Sequence, residues 1–193
     1  MANYAPAVSS YGIHFRSYSP RISMPVIHRE VRDAIPVAGN HYTVYLPDCE
    51  DDTLVRYLSY FSDTEWHVFS AARKEPARVS DNIRLLPLER RELIRSMAGA
   101  AGVISDASFD IAATAGYLGK KLLVIPSPVD YEQQCNATSL YYLGIPVIKK
   151  LSRRYYDTIH YWICITKNPE VAYPDQTSEL IAQIIRNHTD PNP

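Results

Sequence analysis

Glycine is scarce in this chain. Seven glycines in 193 residues are about half the roughly 7% share of an ordinary protein, so few positions favour left-handed turns or let a ligand reach bare backbone. Cysteine is nearly as thin. Cys49, Cys135 and Cys164 are odd in number, far apart and outside any CxxC or Cys/His spacing, which excludes a disulfide framework and a zinc site and reads as reduced, mostly buried thiols. No run of ~20 apolar residues occurs and the first thirty residues hold no apolar signal core, so a soluble cytoplasmic protein without a transmembrane segment is expected. Neither sign of charge is in excess. With 20 Lys+Arg against 21 Asp+Glu and a net charge of −1, the basic stripe of a general nucleic-acid binder is missing. Also missing are GxGxxG, GxxxxGK[ST], HExxH and GxSxG. The six histidines, His14, His28, His41, His67, His160 and His188, are dispersed and read as structural or surface residues, and Cys135 has no neighbour that would activate it as a thiolate.

What is present is a chain 46% hydrophobic with fifteen tyrosines, long enough for one domain that buries roughly 70% of its unfolded surface. Residues 1–40 carry Pro6, Pro20, Pro25 and Pro36 and no sustained period, which predicts an extended or irregular linker or docking arm rather than a helix. A domain then spans 41–193. HYTVYLP reads as a strand, and Asp51 and Asp52 open a helix whose Leu54, Leu58 and Phe61 recur at helical spacing. EWHVFSA (65–71) and NIRLLPL (82–88) read as strands, and residues 89–101 as a helix with Leu93, Ile94, Met97, Ala98 and Ala101 on one face. GVIS (102–105), KLLVIP (121–126) and IPVIKK (145–150) read as strands, separated by helices over SFDIAATAGYLG and YEQQCNATSLYYLG. Period alone leaves RRYYDTIHYWICIT open between helix and strand, and SELIAQIIRNH is an amphipathic C-terminal helix. Continuously apolar strands alternating with helices imply parallel crossovers: an α/β fold, Rossmann-like, with a doubly wound parallel sheet and helices on both faces.

In such a sheet, ligands bind beyond the carboxyl ends of the strands, where helix N-termini gather. Three loops lie there. After GVIS come Asp106, Ala107 and Ser108, small enough to admit a phosphate to the backbone amides, with the Ser108 hydroxyl as a further donor; Asp106 or Ser108 serve equally well as an ordinary helix cap. After KLLVIP come Asp130, Glu132, Gln133 and Asn136. Glu132 and Asn136 stand at i and i+4, which puts both on one face within reach of a polyhydroxy ligand, although solvated helix residues look the same. Asn136, among apolar neighbours, would need hydrogen-bond partners if buried. The third loop is Pro87-Leu88-Glu89, where Leu88 also fits an ordinary core position.

Residues 82–148 resemble the C-terminal, nucleotide-sugar-binding domain of the GT-B glycosyltransferases, among them the UDP-glycosyltransferases and the lipid II N-acetylglucosaminyl transferase. The resemblance rests on GVISDASFDIAATAGYLGKKLLVIP followed by EQQCNATSLYYLG, with Glu132-Gln133, Asn136-Ala137 and Leu143-Gly144 in register. HYTVYLP with DDTLVRYL resembles the first strand and helix of that half, and the proline-bearing 20–40 stretch resembles the linker to an acceptor-binding half. The resemblance implies that the helix beginning at Ala107 and Ser108 receives a diphosphate, that Leu88 borders the base, and that Glu132 and Gln133 bond donor-sugar hydroxyls. It implies sugar transfer from a UDP-sugar or other NDP-sugar, of the kind that builds cell-envelope polysaccharide. Helix N–H groups, and no metal, would stabilise the leaving charge. The only small-molecule partner implied is the donor itself, and no cofactor.

Two departures stand out. Ala107-Ser108 replace glycines usual at that turn, and Thr114 stands where the family places a glutamate that accepts hydrogen bonds from the ribose hydroxyls. The length admits only one of the two halves of such an enzyme, so the acceptor-binding half, its catalytic base and an acceptor that can sit at a membrane surface would belong elsewhere, and no catalytic residue is assigned in this chain. A rival reading is a degenerate, non-catalytic module that binds a protein or carbohydrate through its tyrosine-rich surface. A flavodoxin-like or receiver-type domain would want an acidic cluster at the strand edge, which Asp48, Glu50, Asp51 and Asp52 supply only loosely.

Overall fold

A computed structural model of the chain describes residues 9–165 and 173–189. It divides into two compact units, one formed by residues 1–27 with 173–193 and the other by His28–Ala172. In the first, strands β1 (Gly12–Ile13) and β2 (Ile22–Ser23) pair in parallel. The helix foreseen near the C-terminus follows in this unit at Thr177–Thr189, where Asn187 Nδ2 donates to the Tyr11 hydroxyl at 3.0 Å. Tyr173 of the same unit is buried, and burial pushes its phenol up to about 12.

The second unit opens with a single helical turn, α1 (Arg29–Arg32). This departs from the irregular arm expected before residue 40: the His28 side chain accepts from the Glu30 N–H, a local cap that proline content does not reveal. Then follow β3 (His41–Tyr45), α2 (Asp51–Leu58), β4 (Glu65–Ser70), β5 (Ala77–Ser80), β6 (Ile83–Pro87), α3 (Arg90–Gly99), β7 (Gly102–Ser105), α4 (Phe109–Tyr117), β8 (Lys121–Val124), α5 (Tyr131–Tyr142) and α6 (Tyr156–Cys164). We number the C-terminal helix Thr177–Thr189 α7. The six strands form one sheet in the order β5-β6-β4-β3-β7-β8, parallel except for β5. Side chains alternate across the sheet. Tyr42, Val44, Trp66, Val68, Ile83, Leu85, Ile104 and Leu123 share one core cluster with Leu54 and Leu58 of α2 and with Ile159 and Trp162 of α6. On the other face Thr43 bonds Ser96 of α3 at 2.7 Å. The sheet is therefore doubly wound and α/β.

Two local expectations are corrected and one open reading is resolved. Residues 145–150 do not form a strand; Val147 makes one isolated parallel bridge to Val124, because Pro146 offers no N–H to a ladder. The ambiguous segment after Lys150 resolves into a 3₁₀ turn at Arg153–Tyr155 and then α6. The thiols are free, but Cys135 and Cys164 are exposed and Cys49 is only half-buried. Strand β5, unforeseen, is a short antiparallel edge with a register shift between Arg78 and Ser80. Such irregularity blunts a sheet edge against pairing with another chain.

At the amino end of the sheet, the rings of His41 and His67 stack with centroids 3.9 Å apart. Burial, and then the charge of His67, hold His41 below the ordinary 6.5, despite its contact with the Ser96 carbonyl and the field of Glu65. Burial also lowers His67, against a bond to Glu65 and with Arg84 close by. The unfolded chain thus takes up protons before the folded one does, so stability is full above about pH 6.5 and is lost as pH falls below it toward the depressed values. We expect the melting temperature to drop between pH 7.5 and 5.5, and the double variant His41→Gln/His67→Gln to flatten that drop. Parallel melting profiles for the two proteins would refute the assignment.

Candidate functional site

The chain leaves β3 toward β4 and β6 on one side and returns to β7 and β8 on the other, so the strand order reverses between β3 and β7. Open α/β sheets bind ligands at this switch point, beyond the carboxyl ends. There the ladder continues one residue past the strands: the Asp106 N–H donates to the Tyr45 carbonyl at 3.1 Å and the Ile125 N–H to the Ser105 carbonyl at 2.9 Å. This fixes the starts of the β7–α4 and β8–α5 loops side by side.

Asp106 is the hub. Its carboxylate Oδ1 accepts from the Ser108 N–H at 3.2 Å and from the Ser108 hydroxyl at 2.5 Å, and Oδ2 accepts from Gln133 Nε2 at 3.1 Å. Ser108 occupies the N-cap of α4, yet its hydroxyl is turned to Asp106 and makes no cap bond to the first turn. Gln133 is held at its other end, where Oε1 accepts from the Ser127 N–H at 2.8 Å. Asp130 caps α5 by accepting from the Gln133 N–H. Asn136 is buried, and Nδ2 donates to the Ala107 carbonyl at 3.0 Å. The need for a partner, read from its apolar neighbours, is met by the backbone that precedes α4. The N-termini of α4 and α5 are thus tied together.

Two of the cavities at this edge include Asp106. One, of 320 Å³, is lined by Tyr45, Leu88, Arg90, Asp106, Ser108 and Thr114 with residues of α3. A smaller one, of 180 Å³, lies between the β3–α2 and β8–α5 loops and includes Asp106, Ser127 and two lysines, Lys149 and Lys150. Of the residues singled out from sequence, Leu88, Asp106, Ser108 and Thr114 therefore converge on one cavity. Ala107 is buried beneath it, and Gln133 and Asn136 adjoin it through their bonds. Asp130 and Glu132 are exposed and line neither cavity. Glu132 and Asn136 stand one turn apart on α5 as expected, but Asn136 is buried against Ala107 while Glu132 is exposed, so the two do not face one ligand; Gln133 bonds Asp106 instead. Tyr45, Arg90, Asp110 and the lysine pair were not foreseen. Tyr45 at the end of a central strand, Arg90 and Asp110 in the first turns after two of the three loops, and the lysines that close the strand expected at 145–150 were the sequence signals that could have found them.

The electrostatics are mixed. Burial raises the Asp106 carboxyl above its ordinary value, the two Ser108 bonds oppose this, and Asp110 and Asp48 add to it. Tyr45 is raised by burial and then by the same three carboxylates. Arg90 brings positive charge to the larger cavity while paired at 3.5 Å with Glu30. Among the described residues, no group of three His, Cys, Asp or Glu is placed to hold a metal.

Residues 13–161 match the family model described as Glycosyl transferase family 1. The chain belongs to this family. Its fold is shared with solved glycosyltransferases: VinC in complex with dTDP (TM-score 0.56, 14% identity, 86% of this chain and 46% of that one), CalG4, the calicheamicin glycosyltransferase (0.54, 14%, 89% and 50%), and the glycotransferase of kitacinnamycin (0.54, 15%, 75% and 42%). This glycosyl transferase family 1 chain spans half or less of the length of each. No curated protein sequence matches it. No helix among the described residues is long and apolar enough to cross a membrane.

Proposed function

We propose that the chain is the nucleotide-sugar-binding half of a glycosyltransferase, with the donor seated at the switch point between α4 and α5. The observation that carries this is the convergence of Leu88, Asp106, Ser108 and Thr114 on one 320 Å³ cavity, beside two helix N-termini joined through Gln133 and Asn136. The family match and the two folds solved with a thymidine diphosphate, VinC and the spinosyn rhamnosyltransferase SpnG (TM-score 0.52), support a uridine or thymidine diphosphate sugar. In this reading the first-turn N–H groups of α4 face the diphosphate, Leu88 borders the base and Thr114 faces the ribose. The reaction breaks the bond between the anomeric carbon and the diphosphate oxygen, and the departing charge is met by helix N–H groups rather than a metal. The acceptor's nucleophile bonds to that carbon, and its proton passes to a base on an acceptor-binding half, so this chain alone binds donor without turning it over. The protein works in the cytoplasm, on an acceptor in solution or at a membrane surface.

Titration calorimetry with UDP, dTDP and GDP and with their hexose conjugates tests this. Heat is expected from one nucleotide series, and Ser108→Trp, which fills the mouth of the cavity, is expected to abolish it. Silence from every nucleotide, in the wild type and in Asp106→Asn and Asp106→Gly alike, would refute the reading. It would favour instead the non-catalytic binding module, for which the exposed Tyr131, Tyr141 and Tyr142 of α5 and the loss of a carboxylate at Thr114 speak.

A further inference from the structure

Two of the groups assigned to the ligand by resemblance, the amide at Ser108 and the side chain of Gln133, are already bonded to the protein's own carboxylate. Asp106 Oδ1 takes the Ser108 N–H and hydroxyl at 3.2 and 2.5 Å, and Oδ2 takes Gln133 Nε2 at 3.1 Å. The side chain bridges the two helix starts as a bound anion would, and it is only 7% exposed. Ser108 pays for this with its normal duty, since its hydroxyl makes no cap bond to α4. The arrangement is more than a cap, because a cap stays on one helix while Asp106 spans two. Asp48 and Asp110 add like charge around it. A diphosphate arriving here has to displace a charged acceptor from strong charge-assisted bonds and meets the carboxylates of Asp106 and Asp110 beside the guanidinium of Arg90.

We propose that Asp106 is a specificity-determining residue that acts as an internal substitute for the ligand's anion, holding Ser108 and Gln133 in their liganded positions and limiting affinity for diphosphates. The inference rests on the donor-site reading above. It predicts that the wild-type chain binds a nucleoside diphosphate weakly, and that emptying the position frees the Ser108 and Gln133 donors and removes one repelling charge.

The experiment compares wild type, Asp106→Asn and Asp106→Gly by calorimetry with UDP, dTDP and inorganic pyrophosphate. Asparagine keeps the shape and removes the charge; glycine removes the side chain and leaves room for a phosphate oxygen. Thermal melts check folding. Both variants give up carboxylate bonds to Ser108 and Gln133, so a lower melting temperature is expected of each, and binding is compared at a temperature where all three proteins are folded. The expected result is at least about a tenfold fall in Kd for pyrophosphate and for one nucleotide in either variant. Equal or weaker binding by both variants, with the wild type binding well, would overturn this inference and leave the donor-site reading standing. No binding by any of the three proteins would overturn both.

Discussion

Lys121→Met should lower the stability of the domain by roughly 3 kcal/mol, the cost of taking the donor from the Tyr42 hydroxyl and from carbonyls at the end of α6, at about 1–3 kcal/mol for each one left unpaired, the Ile163 carbonyl keeping a bond from Tyr42. For a chain of this length that is a fall in melting temperature of about 6–12 °C. Lys121 starts β8 and is buried. Its Nζ donates to the Tyr42 hydroxyl at 2.9 Å and to the carbonyls of Trp162, Ile163 and Ile165 at 3.3, 2.8 and 2.8 Å. Those carbonyls end α6, where an intrahelical donor is lacking and the helix dipole favours a cation. The rings of Tyr42 and Trp162 lie 5.1 and 5.6 Å from the ammonium. Burial lowers the lysine's pKa, which is tolerable because four oxygens surround it. Methionine keeps most of the stem and removes every donor, so a shortfall measures the bonds and not the packing. A loss below about 1 kcal/mol in denaturant titration would show that water, not Lys121, serves the end of α6.

This lysine also shows where sequence reading stops. The runs GVIS and KKLLVIP identify β7 and β8 because a parallel strand covered on both faces must be apolar throughout, and β3, β4 and β6 are legible from their β-branched, aromatic and leucine content. Nothing local says that Lys121 enters the core, because its partners lie at the end of a helix some forty residues on. The same holds for α6 itself. Its YDTIHYWIC is β-branched and aromatic enough for a strand, and only packing of Ile159 and Trp162 on the sheet settles it as helix. Residues 145–150 fail the other way, apolar like a strand but with a proline where a ladder donor is needed. At the site, Asp106, Ser108 and Leu88 were legible because the strand-to-helix order alone puts their loops at one rim, whereas Thr114, inside α4, was marked only by the family resemblance. The inward turn of Gln133 and outward turn of Glu132 were not legible, since one residue is a rotation of about 100° and sequence fixes the axis of α5 less closely than that. Arg90 and the lysines of the smaller cavity come from elements whose proximity depends on the crossover.

Thr114→Glu should tighten binding of the matching nucleoside diphosphate by about ten- to a hundredfold, the equivalent of one charge-assisted hydrogen bond of roughly 1.5–3 kcal/mol, and should leave inorganic pyrophosphate no tighter and, through the added negative charge, somewhat weaker. Thr114 is 9% exposed and lines the 320 Å³ cavity together with Leu88 and Arg90. A glutamate there reaches two carbons further into a space that already holds a guanidinium to balance it. Pyrophosphate carries the phosphate charge without a ribose, so it separates a bond to sugar hydroxyls from a general electrostatic change. Any change in the field of Asp106 and Asp110 would act on both ligands, and in the wrong direction. Thr114→Gln supplies the same reach without the charge and should gain less than the glutamate. Equal gains for pyrophosphate and nucleotide, or none for either, would place the ribose elsewhere and detach Thr114 from the site. A nucleotide bound by Thr114→Glu but not by the natural chain would mean that the cavity keeps its shape while the natural residue has given up the ligand, which is the behaviour of a non-catalytic module descended from a donor-binding one.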